Sequence, residues 1–149
     1  PWVPPAIRDG ATDVLDVLFA RAGIYRPVAP ILAAFMEAAG ERRWLDLCSG
    51  GGGGALAMRA ALAAQGRAPA QITLTDRYPN DAARQRVAAL GDPSLHYLPG
   101  PVDALHVLPH APAIRTMFGA LHHFPPTAVR AILQAYVNDA LKMKDSLVQ

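Results

Sequence analysis

Apolar residues in the first forty positions recur with the spacing of two helices ahead of the first strand. The first predicted helix is capped by Thr12 or Asp13 and stops at Gly23. Its apolar stripe is Val14, Leu15, Leu18, Phe19 and Ala22. The second begins within 27–30, where proline is tolerated, and ends at Gly40. Its stripe is Ile31, Leu32, Phe35, Met36 and Ala39. We therefore expect residues 1–40 to form an N-terminal helical segment, which either packs on the domain or covers a site as a lid.

From residue 41 onward, short β-branched or apolar runs alternate with helical patterns. The predicted strands are 43–47, 71–75, 95–98 and 113–118. The predicted helices are 55–64, 81–90 with Asn80 or Asp81 as its cap, and one that begins at 125–126. The apolar face of this last helix is Val129, Ile132, Leu133, Tyr136, Val137 and Leu141. The alternation predicts an α/β fold with a Rossmann-like, mostly parallel sheet and flanking helices over residues 41–140.

The C-terminal end differs in composition from the body of the chain. Both lysines, Lys142 and Lys144, lie within residues 141–149, and the other basic residues are arginines. This tail is either a fraying helix end or a separate segment, with 146–149 as an edge-strand fragment.

Composition and charge narrow the function classes. With 149 residues, 52% of them hydrophobic, the chain can bury one globular core. It has no apolar run that would span a bilayer. The net charge is +2 and the arginines are scattered, which argues against a nucleic-acid partner. The single cysteine, Cys48, excludes an internal disulfide and, without a signal-peptide pattern, favours a cytoplasmic protein.

A glycine-rich turn is the most informative stretch. The apolar run 44–47 contains Asp46 and leads into five consecutive glycines at 50–54, followed by an alanine-rich helix. A glycine turn at a helix N-terminus lets a nucleotide-like ligand approach the backbone. A dinucleotide pattern, G-x-G-x-x-A, would use Gly50, Gly52 and Ala55. Asp46, however, would repel a pyrophosphate and suits a cationic ligand better.

Two further acids follow the next predicted strands. Asp76 ends the second strand and Asp103 follows the third. Ligands of open parallel sheets bind beyond the carboxyl ends of the strands, where a carboxylate can accept hydrogen bonds from both hydroxyls of a ribose. We expect Asp76 to bind ribose and Asp103 to lie near a base.

Together these residues resemble the class I S-adenosylmethionine-dependent methyltransferases over about 15–138. The segment 46–52 is similar to that family's first motif, an acid followed by an apolar residue and three alternate glycines. Cys48 stands at the first glycine position, while Gly50 and Gly52 match the other two. The stretch 117–124 resembles the family's segment at the end of the fourth strand. Because that family's fold has further strands after the helix that follows the fourth strand, the resemblance implies that the C-terminal half of the sheet is incomplete here.

The resemblance implies S-adenosylmethionine as the cofactor, with Asp46 balancing the charge of its methionine part, mainly the ammonium group. The implied cofactor-binding residues are Asp46, Cys48, Ser49, Gly50, Gly51, Gly52, Asp76, Arg77, Asp103, Ala104, Phe118 and Gly119. The implied acceptor side comprises His122, His123 and Phe124, with either histidine as a candidate general base. Tyr25 and Arg26 are candidates for a lid over the cofactor.

The main interpretation is a methyltransferase, or its cofactor-binding part, that acts on a small-molecule acceptor. The alternatives are an NAD(P)-dependent oxidoreductase and a non-catalytic nucleotide-binding or dimerisation module. We predict no metal site, since Pro109 interrupts the spacing of His106 and His110. Cys48 has no base paired with it, which favours a space-filling role. An exposed edge at the fourth strand would favour a homodimer.

Overall fold

The computed structural model describes Val14, residues 23–107 and residues 113–146, with side chains as far as Asn138. The helices are α1 (Ala29–Ala39), α2 (Gly53–Ala63), α3 (Asp81–Ala89) and α4 (Pro126–Ser146). The strands are β1 (Arg43–Asp46), β2 (Gln71–Leu74), β3 (Leu95–Tyr97) and β4 (Ile114–Thr116). Single 3₁₀ turns span Arg26–Val28 and Leu121–His123. The helix predicted at 12–22 lies outside the described residues, apart from the exposed Val14.

The four described strands form one parallel sheet in the order β3-β2-β1-β4. β2 and β3 extend the sheet on one side of β1, and β4 returns to its other side. The predicted α/β class and Rossmann-like parallel sheet are therefore confirmed. The strand order reverses between β1 and β4, which is where open α/β sheets bind their ligands.

Capping residues fix the helix boundaries much as the sequence predicts. Gly40 ends α1 in the left-handed conformation, with φ of 60°. Asn80 caps α3, and its side-chain oxygen accepts a hydrogen bond from the Ala83 N–H at 2.9 Å. The strands are one to three residues shorter than predicted, and α2 begins at Gly53 instead of residue 55. The glycines at 53 and 54 are thus helical and not part of the turn.

The core has two clusters. The larger joins α1, α2 and α3 to side chains of all four strands and is centred on Trp44, Ile72 and Leu74. The smaller contains buried Leu47, Ala104 and Ile132 and involves α4 and the segment that follows β3. Because neighbouring strand residues point to opposite faces, Trp44 belongs to the larger cluster and Leu45 to the smaller.

The predicted apolar stripes of α1 and α4 are partly wrong. Ile31 and Phe35 of α1 are 69% and 46% exposed, while the buried residues are Ala29, Ala33 and Met36. Small alanines let α1 approach its neighbours closely, so this narrower row forms the contact. In α4, Leu133 and Val137 are exposed, and Ile132 provides the buried contact.

The tail is helical for most of its length. Helix α4 continues without interruption to Ser146. At 141–146 the structure shows a helix end, and the prediction that Ser146 starts an edge strand is wrong; residues 147–149 lie outside the described residues. Within the described parts of the chain, no helix combines the length and apolarity that crossing a bilayer requires.

Among the described strands, β4 forms one edge of the sheet. An edge strand presents backbone groups that another chain can pair with. We predict a concentration-dependent homodimer through this edge, measurable by sedimentation velocity. A strictly monomeric profile at high protein concentration would contradict it.

Replacing Gly54 by alanine should destabilise the fold. An added Cβ would lie 2.4 Å from the Phe118 Cβ, so the start of α2 and the segment after β4 would have to separate. We expect a loss of about 1–3 kcal/mol in the free energy of unfolding, measured by urea denaturation. Gly100→Ala is the matched control, because a Cβ there meets nothing within 4 Å. Equal stability of the two variants would refute the close contact.

Candidate functional site

The turn after β1 adopts the left-handed backbone conformation at every second residue. The φ angles are 56° at Cys48, 52° at Gly50 and 87° at Gly52. A side chain at position 52 would also press on Leu74, whose Cδ1 lies 3.2 Å from the added Cβ. Of the five consecutive glycines, Gly50 and Gly52 are thus the ones that the backbone requires. Cys48 adopts the same conformation with a Cβ, which costs about 1–2 kcal/mol.

Asp46, the last residue of β1, is a buried acid with an exposure of 1%. Its Oδ1 accepts a hydrogen bond from Thr116 Oγ1 and its Oδ2 accepts one from Ser49 Oγ, both at 2.7 Å. A buried carboxylate is tolerated when such donors replace water. The carboxyl group is therefore held between the turn and β4 and is shielded from solvent.

Strands β2 and β3 hold the turn from the other side. The Gly50 N–H donates to Asp76 Oδ2 at 2.9 Å, and the Gly50 carbonyl accepts from Tyr97 Oη at 2.8 Å. The Ser49 N–H donates to the Thr75 carbonyl at 2.9 Å. Gly50 is thus bonded through its N–H to the end of β2 and through its carbonyl to β3.

Asp76 lies two residues beyond the end of β2 and is partly exposed. One carboxylate oxygen accepts from the Gly50 N–H and the other from the Tyr78 N–H, at 2.9 and 2.8 Å. Each carboxylate oxygen can accept two hydrogen bonds, so each retains a further acceptor position. The Asp76 carbonyl accepts from the Val102 N–H at 2.8 Å, which brings the segment containing Asp103 alongside.

Asp103 has an arginine and a histidine as neighbours. Its Oδ2 lies 3.5 Å from Arg77 Nη1 and 3.6 Å from His106 Nδ1. The hydrogen bond from the Leu105 N–H lowers the pKa of Asp103 most, and Arg77 and His106 lower it further against the opposing effect of burial. Arg77, predicted as a cofactor-binding residue, is thus directed at Asp103.

Cys48 and Ala104 belong to the smaller core cluster, in which Ala104 is buried and Cys48 packs against it as a partly buried residue. Burial raises the pKa of the Cys48 thiol to about 11, and the negative charges of Asp76, Asp46 and Asp103 add to the effect. The thiol is therefore protonated at neutral pH, as its predicted space-filling role requires.

Residues 118–119, which follow β4, lie against Tyr25 of the N-terminal segment. The rings of Phe118 and Tyr25 meet edge to face, with centroids 5.1 Å apart. Gly119 has a φ of 68°, and a Cβ added there would lie 3.7 Å from Tyr25 Oη. Tyr25, one of the two predicted lid residues, therefore packs beside the turn, whereas Arg26 is exposed.

His122 and His123 lie in the 3₁₀ turn and not in an extended segment. Hydrogen bonds from the His123 and Phe124 N–H groups to the carbonyls of Ala120 and Leu121 close this turn. The imidazole rings consequently pack on each other, with centroids 3.9 Å apart, and both side chains are exposed. Phe124 packs on the smaller core cluster.

Three hydroxyl-bearing residues of the site were missed by sequence reasoning: Thr75, Tyr97 and Thr116. Thr75 Oγ1 donates to the Asp46 carbonyl at 2.8 Å, and the other two contact Gly50 and Asp46 as described. Each lies within a residue or so of the carboxyl end of a parallel strand, and this position is the signal that could have identified them. In the described residues, His, Cys, Asp and Glu form no group of three that could hold a metal ion.

Comparison with known proteins gives one structural match. No protein-family model and no curated protein matches the chain. A crystal structure described as that of "a COG1565 superfamily member and likely methyl transferase from Burkholderia thailandensis bound to S-adenosyl-homocysteine" is similar, with 23% identity and a TM-score of 0.45. The match covers 67% of this chain and 24% of that one. This similarity is too low to assign a shared function.

The Cys48 thiol should react slowly in the folded protein. Because its pKa is raised to about 11, the thiolate fraction at pH 8 is small and rises as the pH approaches 11. We expect alkylation by iodoacetamide to be about 20-fold slower at pH 8 than in the urea-unfolded chain, after allowing for the greater nucleophilicity of a high-pKa thiolate. Mass spectrometry of this single cysteine gives the rate. Equal rates in the folded and unfolded states would contradict the assigned environment.

Proposed function

We propose that this domain binds S-adenosylmethionine and directs its methyl group to a small-molecule acceptor. The observation that carries the proposal is the run of left-handed residues at 48, 50 and 52 directly after Asp46. Their spacing is that of the three alternate glycines in the methyltransferase motif. The dinucleotide pattern accounts for positions 50 and 52 but not for 48.

The residues beyond β2 suit an adenosyl group. Asp76 is partly exposed and keeps an acceptor position on each oxygen, as binding to the two ribose hydroxyls requires. Its bond to Gly50 fixes the carboxylate before a ligand arrives, which reduces the entropy lost on binding. The segment containing Asp103 and Ala104 lies beside Asp76 through the Val102 hydrogen bond, in a position to border the base.

The charge at this edge of the sheet favours a cation. Asp46, Asp76 and Asp103 all raise the pKa of Cys48, which marks a negative potential at the centre of the turn. The cationic neighbour Arg77 is directed at Asp103. A pyrophosphate would meet repulsion here, whereas the sulfonium and ammonium groups of S-adenosylmethionine would be attracted.

The contribution of the protein to the reaction would be alignment and the exclusion of water. Bound S-adenosylmethionine supplies a methyl group on an already activated, positively charged sulfur. The chain therefore needs to fix the methyl donor and the acceptor in line and to keep water out, more than to provide a strong acid or base. Phe118, Tyr25 and Phe124 supply apolar surface near the turn. His122 or His123 would accept a proton from an acceptor that must lose one.

The acceptor in this proposal is a small molecule. The basic residues are scattered arginines, so nothing resembles the phosphate-tracking stripe of a nucleic-acid enzyme. Arg26, exposed ahead of α1, remains a candidate for a lid that closes over the cofactor.

Titration calorimetry with S-adenosylhomocysteine, NAD and NADP tests the proposed cofactor. We expect binding of S-adenosylhomocysteine alone. Binding of NAD or NADP without S-adenosylhomocysteine would overturn the proposal in favour of an oxidoreductase. Binding of S-adenosylhomocysteine without turnover of any acceptor would reduce the proposal to a cofactor-binding module.

Asp76→Ala should weaken the binding of S-adenosylhomocysteine by about 10- to 100-fold, the range expected when hydrogen bonds to a charged group are lost. Calorimetry gives the affinity, and thermal denaturation checks that the variant is folded. Asp81→Ala is the matched control, since Asp81 is an exposed acid paired with Arg84 at 3.0 Å. Unchanged affinity in folded Asp76→Ala would show that the ribose site lies elsewhere.

A further inference from the structure

Thr116 belongs to β4, on the side of β1 where the strand order reverses. It makes two hydrogen bonds to residues at the start of the glycine turn. It is the register partner of Asp46 in the β1–β4 pair. Its Oγ1 donates to Asp46 Oδ1 at 2.7 Å, and its carbonyl accepts from the Leu47 N–H at 2.9 Å. Thr116 is itself 8% exposed, so water does not compete effectively for these bonds.

The two hydroxyls on Asp46 have different origins. Ser49 belongs to the turn itself and moves with it, whereas Thr116 belongs to the sheet. Ser49 Oγ also accepts from the Thr75 N–H at 3.1 Å, so its orientation is tied to β2. Thr116 is therefore the residue through which β4 fixes the plane of the Asp46 carboxyl group.

The buried position of Asp46 determines how it can act on a ligand. With 1% exposure, and with each oxygen accepting from a hydroxyl, it acts through its charge from behind the turn. Such a charge is only weakly screened, because the surroundings exclude water. Its effect on a nearby cation depends on where the carboxyl oxygens are held.

We propose that Thr116 is a positioning residue for the amino-acid end of the ligand, acting through Asp46, while Asp76 serves the adenosine end independently. This inference rests on the proposed function and extends it to β4. A purely structural threonine would instead affect every ligand of the site alike.

Thr116→Val removes the hydroxyl at nearly constant volume, and Thr116→Ser retains it. The two ligands to compare are S-adenosylhomocysteine, which has the ammonium group, and 5′-methylthioadenosine, which lacks the amino acid. We expect Thr116→Val to weaken S-adenosylhomocysteine about tenfold and to leave 5′-methylthioadenosine unchanged. Thr116→Ser should restore the affinity. Calorimetry measures the affinity of both variants for each of the two ligands, relative to the unaltered protein.

Thr75→Val is the matched control, because the Thr75 hydroxyl donates to the Asp46 backbone carbonyl and not to its carboxylate. Any loss of affinity in this variant should be the same for both ligands. Equal losses for both ligands in Thr116→Val, or no loss for either, would overturn the inference while the proposed function stands. Failure of the unaltered protein to bind S-adenosylhomocysteine would overturn the proposed function and the inference with it.

Discussion

The buried carboxylate of Asp46 is the constraint on which the site depends. An acid with 1% exposure is costly unless donors surround it, and here the donors come from the turn and from β4. The end of β1, the glycine turn and β4 must therefore be in place together for both oxygens to accept these bonds. The arrangement couples the folding of the sheet to the shape of the proposed cofactor site, since the bonds that satisfy the acid also fix the turn.

Further hydrogen bonds hold the turn to β3 and to the residues that follow β2. Gly50 donates its N–H to Asp76 and accepts a hydrogen bond from Tyr97 at its carbonyl, and it makes both bonds in a left-handed conformation that glycine adopts without strain. Gly54 has a different task, because it lets Phe118 pack against the start of α2. Among the five consecutive glycines, Gly50 and Gly52 thus allow the left-handed turn, and Gly54 allows a close packing contact.

Much of this architecture could be predicted from the sequence because local signals were strong. Gly40 and Asn80 mark helix ends by capping chemistry, and Asp46 and Asp76 mark the ends of adjacent strands. The buried side of a helix was harder to predict from the sequence. In α1, Ile31 and Phe35 are exposed while the alanines face the core. Thr116 and Tyr97 could not be identified either, because their roles arise from strand register and from partners about 50 to 70 residues away.

A crystal structure of the protein with S-adenosylhomocysteine would show whether the ligand binds at the glycine turn. We expect the ribose hydroxyls to donate to Asp76, which also accepts from the Gly50 N–H, and the ammonium group to lie on the Asp46 side of the turn. The residues at 48, 50 and 52 should keep their left-handed conformation, since the turn is formed before the ligand arrives. A ligand bound away from the carboxyl ends of β1 and β2, or a ribose with no contact to Asp76, would contradict this expectation.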